Sequence, residues 1–111
     1  MGFFEWRRDL WKGTVGIEWR ETSTWEIEGR RYHATEKNYY GTNEKNPARS
    51  RFLGEDSDRI ELPGRTIYLL INIEIRSDEK NFHVALVRQI FENDKLVRRR
   101  EWEETVPRMF N

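Results

Sequence analysis

The chain has 111 residues, enough for one domain spanning 1–111 with a modest core. Its 20 basic and 20 acidic side chains cancel, so no global field draws it to nucleic acid or to an anionic membrane, and the lack of cysteine removes disulfides, thiol nucleophiles and cysteine metal sites. No apolar run approaches a membrane span and Met1–Trp6 lacks the basic-then-apolar layout of a secretion leader, so a soluble, cytoplasmic protein without a cofactor is expected. Met1-Gly2 opens like a myristoylation signal, but Trp6 stands where Ser or Thr is needed.

In chain order, Phe3–Lys12 places Phe3, Trp6 and Leu10 on one helical face, with Gly13 as a C-cap; the same stretch also fits an irregular leading strand. Thr14–Arg20 and Thr22–Glu28 alternate apolar and polar residues. Glu28-Gly29 followed by Arg30-Arg31-Tyr32-His33 reads as a hairpin that brings Trp25 near Tyr32. Lys37–Asp58, with Gly41, Asn43, Asn46, Pro47 and Gly54 among charges, reads as a long irregular connection. Arg59–Leu62 adds a short strand before the turn dipeptide Pro63-Gly64.

Thr66–Arg76 carries the clearest signal, with Ile67, Leu69, Ile71, Ile73 and Ile75 at every second position of a strand. A polar break over Ser77–Lys80 leads into Asn81–Glu92, and Asn93-Asp94 makes a tight turn into a last strand. A helix over Leu96–Thr105 competes with that strand but is squeezed between Asn93-Asp94 and Pro107. The turns set a register: Phe91 opposite Leu96, Gln89 opposite Arg98, Ala85 opposite Trp102 and His83 opposite Glu104, with Ile75 opposite Phe82 and Glu74 opposite His83. It puts Ile67, Leu69, Ile71, Ile73, Ile75, Phe82, Val84, Leu86, Ile90 and Val97 on a core face, where burial at ~1.5–3 kcal/mol per side chain offsets chain entropy. The same register sets Arg88 against Arg99, a repulsive pair that a bulge or one-residue slip would relieve. Five or six strands and at most one short N-terminal helix define a mainly β, antiparallel architecture.

The other face is mixed, and its candidate ligand residues are Tyr68, Glu74, His83, Arg98, Arg100, Trp102 and Glu104. Aromatic rings beside arginines suit a planar, anionic or sugar-like ligand, although Phe3, Phe4, Trp6 and Trp11 would compete to cover the same face. His83 in one row with Glu74 and Glu104 has the composition of an acid-base cluster, or of a cross-strand ion pair on a wet face. Arg98-Arg99-Arg100 is flanked by Glu101, Glu103 and Glu104, which argues against phosphate binding.

Three segments resemble a known family: Tyr40-Gly41-Thr42-Asn43-Glu44-Lys45-Asn46-Pro47-Ala48-Arg49-Ser50, then Arg76-Ser77-Asp78-Glu79-Lys80-Asn81-Phe82-His83-Val84, and Trp102-Glu103-Glu104-Thr105-Val106-Pro107-Arg108. With Phe91–Val97 they are similar to the end of the C-terminal β-sandwich of hydrolases of the X-prolyl dipeptidyl peptidase and cocaine-esterase type. Asn46-Pro47-Ala48-Arg49 departs from that family's Asp-Pro-Leu-Ser, and Met109 replaces its closing Asp. The family's catalytic residues belong to a separate domain, and no Gly-x-Ser-x-Gly elbow occurs here, so no catalytic role carries over. The resemblance implies part of a jelly-roll-like β-sandwich.

The reading that follows is a stand-alone, non-catalytic β-sandwich module that self-associates as a homo-oligomer, a dimer in its simplest form, and offers its mixed face to a small ligand. The alternatives are a small enzyme using His83 with Glu74 or Glu104, and a purely structural or regulatory protein.

Overall fold

The computed structural model describes residues 2–9 and 14–109. The strands are β1 (Gly2–Asp9), β2 (Thr14–Ile27), β3 (Arg30–Asn43), β4 (Ser50–Leu62), β5 (Arg65–Ser77), β6 (Asn81–Glu92) and β7 (Lys95–Pro107). They form one antiparallel sheet in the order β1-β2-β3-β4-β5-β6-β7, an up-and-down meander with no helix among the described residues.

Three tight hairpins follow from local chemistry. Glu28 and Gly29 turn with φ of 49° and 77°, and Asn93 and Asp94 with φ of 48° and 66°. Such paired positive φ values match the right-handed twist of the flanking strands. Gly64, at φ 72°, closes the turn after Pro63. Across the first hairpin the rings of Trp25 and Tyr32 stack at 5.3 Å and 6° between planes, the cross-strand aromatic contact that the sequence places there.

The turn between β5 and β6 lies one residue later than the expected register places it. Asp78 Oδ1 accepts the backbone N–H of Lys80 at 2.9 Å and of Asn81 at 2.7 Å, which holds the loop 78–80 between the strands. Ile75 therefore meets Val84 rather than Phe82, and Arg76 rather than Glu74 meets His83. A shift of two residues keeps every side chain on its expected face.

The β6–β7 pair differs by an odd number. Phe91 still faces Leu96, but beyond a bulge that leaves Val97 without a partner the pairs are Ile90 with Arg98, Leu86 with Trp102 and His83 with Thr105. Val97 thus leaves the core face, while Arg98, Arg100, Trp102 and Glu104 move to the face of Ile67–Ile75. The slip does not part the arginines: Arg88 now lies opposite Arg100. Both guanidiniums sit over the Trp102 ring, at 5.3 and 4.9 Å from its centroid, which offsets part of their repulsion.

Two further expectations are corrected. Lys37–Asp58 is not a long loop: most of it lies in β3 and β4, which pair from Arg31 with Glu61 to Thr42 with Ser50 and leave only 44–49 between them. The leading segment forms a strand instead of a helix, and β1 pairs edge-on with β2, so it widens the sheet and does not lie across the mixed face as a second layer. Leu10 and Trp11 lie outside the described residues.

No apolar side chain among the described residues is buried. The accessible surface is 8660 Å², against about 6,600 Å² for a folded monomer of this mass. The radius of gyration is 17.5 Å, where a compact domain of this length has about 13 Å. Cα extents of 53 × 29 × 24 Å show a strongly twisted layer rather than a flat one.

The closest internal packing lies on the face away from the isoleucines, where the Tyr39 ring covers Gly41 and Gly16. A Cβ at Gly41 would come 2.8 Å from Tyr39 Cζ, and one at Gly16 would come 2.7 Å from the Tyr40 carbonyl oxygen. Gly41→Ala is expected to destabilise the sheet by ~1–3 kcal/mol in urea unfolding, and adding Tyr39→Ala should cost less than the two separate losses combined.

Candidate functional site

Alternation gives the sheet two faces of different chemistry. The isoleucine face carries Ile17, Trp19, Trp25, Tyr32, Phe52, Ile60, the β5 stripe from Ile67 to Ile75, Val84, Leu86 and Trp102. Among its largest side chains Trp25 is 44% exposed, Tyr40 44% and Trp102 39%. The opposite, polar face carries Thr35, Lys37, Tyr39, Glu55, Arg59, Tyr68, Glu74 and His83.

The seven candidate residues are split between these faces. Tyr68, Glu74 and His83 lie on the polar face; Arg98, Arg100, Trp102 and Glu104 lie on the isoleucine face. No aromatic-arginine floor of the kind drawn from the sequence is assembled. Tyr68 instead tilts against Phe91 at 5.8 Å, with the Arg59 guanidinium 5.7 Å from its centroid.

The acid-base row is also separated. Glu104 pairs with Val84 across β6 and β7, on the far side of the sheet from His83. Glu74 is held by two cations: Arg51 Nη2 donates to Oε2 at 2.8 Å, and Arg76 Nε lies 3.1 Å from Oε1. His83 Nε2 meets Asp78 Oδ2 at 3.1 Å, and Nδ1 meets the Thr105 hydroxyl at 3.3 Å. The Asp78 carboxyl is held down at about 2, first by the Asn81 and Lys80 N–H groups and then by His83. Glu74, Arg76, His83 and Thr105 border a shallow open groove with Ala85 and Glu103. Glu74 and His83 are engaged there by Arg51, Arg76, Asp78 and Thr105 on a solvated surface. Among the described residues no three His, Cys, Asp or Glu side chains are grouped to hold a metal ion.

The segments that carry the family resemblance meet at one end of the sheet. Ser77 Oγ donates to the Ala48 carbonyl at 2.7 Å, and Arg108 Nη1 donates to the carbonyls of Ala48 and Asp78 at 3.1 and 3.0 Å. Arg108 also lies over the Phe82 ring at 5.1 Å. These bonds tie the 44–49 loop, the 78–81 loop and the end of β7 into one corner.

Two clusters that sequence reasoning did not single out lie on the isoleucine face. Glu36, Asp56 and Asp58 sit together on β3 and β4, with Glu36 directly opposite Asp56. Arg88, Arg98 and Arg100 sit on β6 and β7. Among the described residues no ion pair joins one cluster to the other. Partial desolvation, then Asp58 and Glu36, raise the Asp56 carboxyl above its ordinary value. Acids at 36, 56 and 58 alternate onto one face together once β3 and β4 are recognised as strands, and the register joins that face to the isoleucines.

No protein-family model, curated protein or solved structure matches this chain.

Because the folded Asp78 carboxyl titrates well below its unfolded value, its contribution is present above about pH 4 and is lost as pH falls towards about 2. Asp78→Ala is expected to lower Tm by several degrees at neutral pH and to flatten the loss of stability over that acid window; equal pH slopes for parent and variant in thermal scans would contradict this.

Proposed function

We propose that this chain is a non-catalytic β module that works as an assembly, its single sheet supplying one layer of a β-sandwich whose other layer is another copy. The observation that carries this reading is the lack of any buried apolar side chain among the described residues. A sheet with one strongly apolar face gains its stability when that face is covered. The excess accessible surface, roughly 2,000 Å² above the monomer expectation, exceeds the ~1,000 Å² per partner at which permanent interfaces begin.

The resemblance to part of a jelly-roll sandwich points the same way, since a partial sandwich needs its missing layer. The polar face, with Glu74, His83 and Tyr68 engaged by neighbours, becomes the outer, solvated surface. A reducing, cytoplasmic setting belongs to the same proposal, because an assembly held by apolar area and charge needs no disulfide.

Light scattering on a size-exclusion column over a hundredfold range of concentration tests this. The expected mass is twice the 13.6 kDa of the chain, or a higher multiple. A mass of one chain throughout would overturn the proposal.

A further inference from the structure

Charge placement on the isoleucine face selects how two copies would meet. From β3 to β7 the row through Ile71 reads Glu36, Asp56, Ile71, Arg88 and Arg100. One row along, Asp58 lies on β4 and Arg98 on β7, with Leu69 and Ile90 between them. The acids are thus one and two strands to one side of β5, and the arginines one and two strands to the other. Each cluster repels itself, since Glu36 faces Asp56 and Arg88 faces Arg100. Asp56 and Arg88 stand two strands apart across Ile71, roughly 10 Å at the normal strand spacing, too far for an ion pair within the sheet.

Resting on the self-association proposed above, we infer that two copies stack isoleucine face to isoleucine face about a two-fold axis parallel to β5, so that Glu36, Asp56 and Asp58 of each copy meet Arg88, Arg98 and Arg100 of the other. An axis along β5 carries β4 over β6 and β3 over β7 and leaves height along the strands unchanged. Asp56 then comes over Arg88, and Glu36 over Arg100. An axis across the strands would lay each strand over its own copy and set acid against acid. The chosen axis keeps strand directions nearly aligned, as packed sheets prefer, and it is isologous, so the contact closes at two copies.

Three observations agree with it. The Arg88 Nε is shielded from solvent and has no hydrogen-bond partner, and a carboxylate arriving from above would accept it. The five strands β3–β7 that overlap about this axis, each about twelve residues long, cover about 950 Å² at normal strand spacing and rise, so two copies remove roughly 1,900 Å² in total, close to the lower end of permanent dimers. The free edge at β7 is unsuited to the alternative of edge-to-edge pairing: every residue from Lys95 to Pro107 is exposed, and charges and a terminal proline guard it.

Charge reversal tests the pairing. Arg88→Glu with Arg100→Glu in one variant, and Glu36→Lys with Asp56→Lys in a second, should each stay folded by far-UV circular dichroism and associate at least tenfold more weakly than the parent. Mixed in equal amounts they should recover the parental mass, because both contacts are then complementary again. Parental association in either variant, or a mixture of folded variants that stays monomeric, would remove this pairing while the parent's own dimer kept self-association standing. A parent that is monomeric at every concentration would mean that a different chain covers the face and would end both. Should a reversed variant not fold, the cysteine-free chain offers a second arm. Ile67→Cys, on the axis, should cross-link to itself through a short bis-maleimide that spans the ~10 Å between packed sheets, whereas Tyr68→Cys, on the outer face, should not; the opposite pattern would overturn the pairing.

Discussion

Hydrophobic burial is the constraint on which this molecule depends. The strands β2–β7 satisfy one another's backbone N–H and C=O groups through a continuous ladder, yet in a single layer a side chain is shielded only by its in-plane neighbours. Ile67–Ile75 are consequently half-buried, and Trp25, Tyr40, Phe82 and Trp102 are exposed on the same face. Hydrogen bonding fixes the shape of the sheet, while its apolar face stays partly open to solvent, and in the proposed assembly a second layer would cover it.

The polar face shows what a solvated sheet surface looks like when its charges are settled locally. Glu74 lies between Arg51 and Arg76, and His83 bridges Asp78 and Thr105. On the isoleucine face Glu36, Asp56 and Asp58 lie on one side of β5 and Arg88, Arg98 and Arg100 on the other, with Glu36 facing Asp56 and Arg88 facing Arg100. In the proposed assembly these two separated clusters would complement each other across the contact.

Much of the fold is legible in the sequence because turn chemistry is local. Glu28-Gly29, Pro63-Gly64 and Asn93-Asp94 mark their hairpins, and the strict alternation from Ile67 to Ile75 marks a strand with one apolar face. β3 and β4 were hidden because neither face of those strands is uniformly apolar, so their alternation reads as noise, and because Gly41 and Gly54 look like breaks when they are sites of close approach by Tyr39 and Ile73. The candidate site was lost through one residue. The extra Val97 in the β6–β7 bulge reverses the facing of Arg98, Arg100, Trp102 and Glu104, and no local rule places a bulge. The two-residue error at the Asp78 loop did no such damage, since even shifts preserve faces.

If folding and association are one event in this protein, stability must depend on protein concentration. Urea unfolding followed by tryptophan fluorescence at two concentrations a hundredfold apart measures that directly. The account predicts that the midpoint rises with concentration, by the equivalent of about 2.7 kcal/mol for a two-copy assembly. A midpoint that is the same at both concentrations would mean that the single sheet is stable alone, and would contradict the claim that its isoleucine face is completed by another copy.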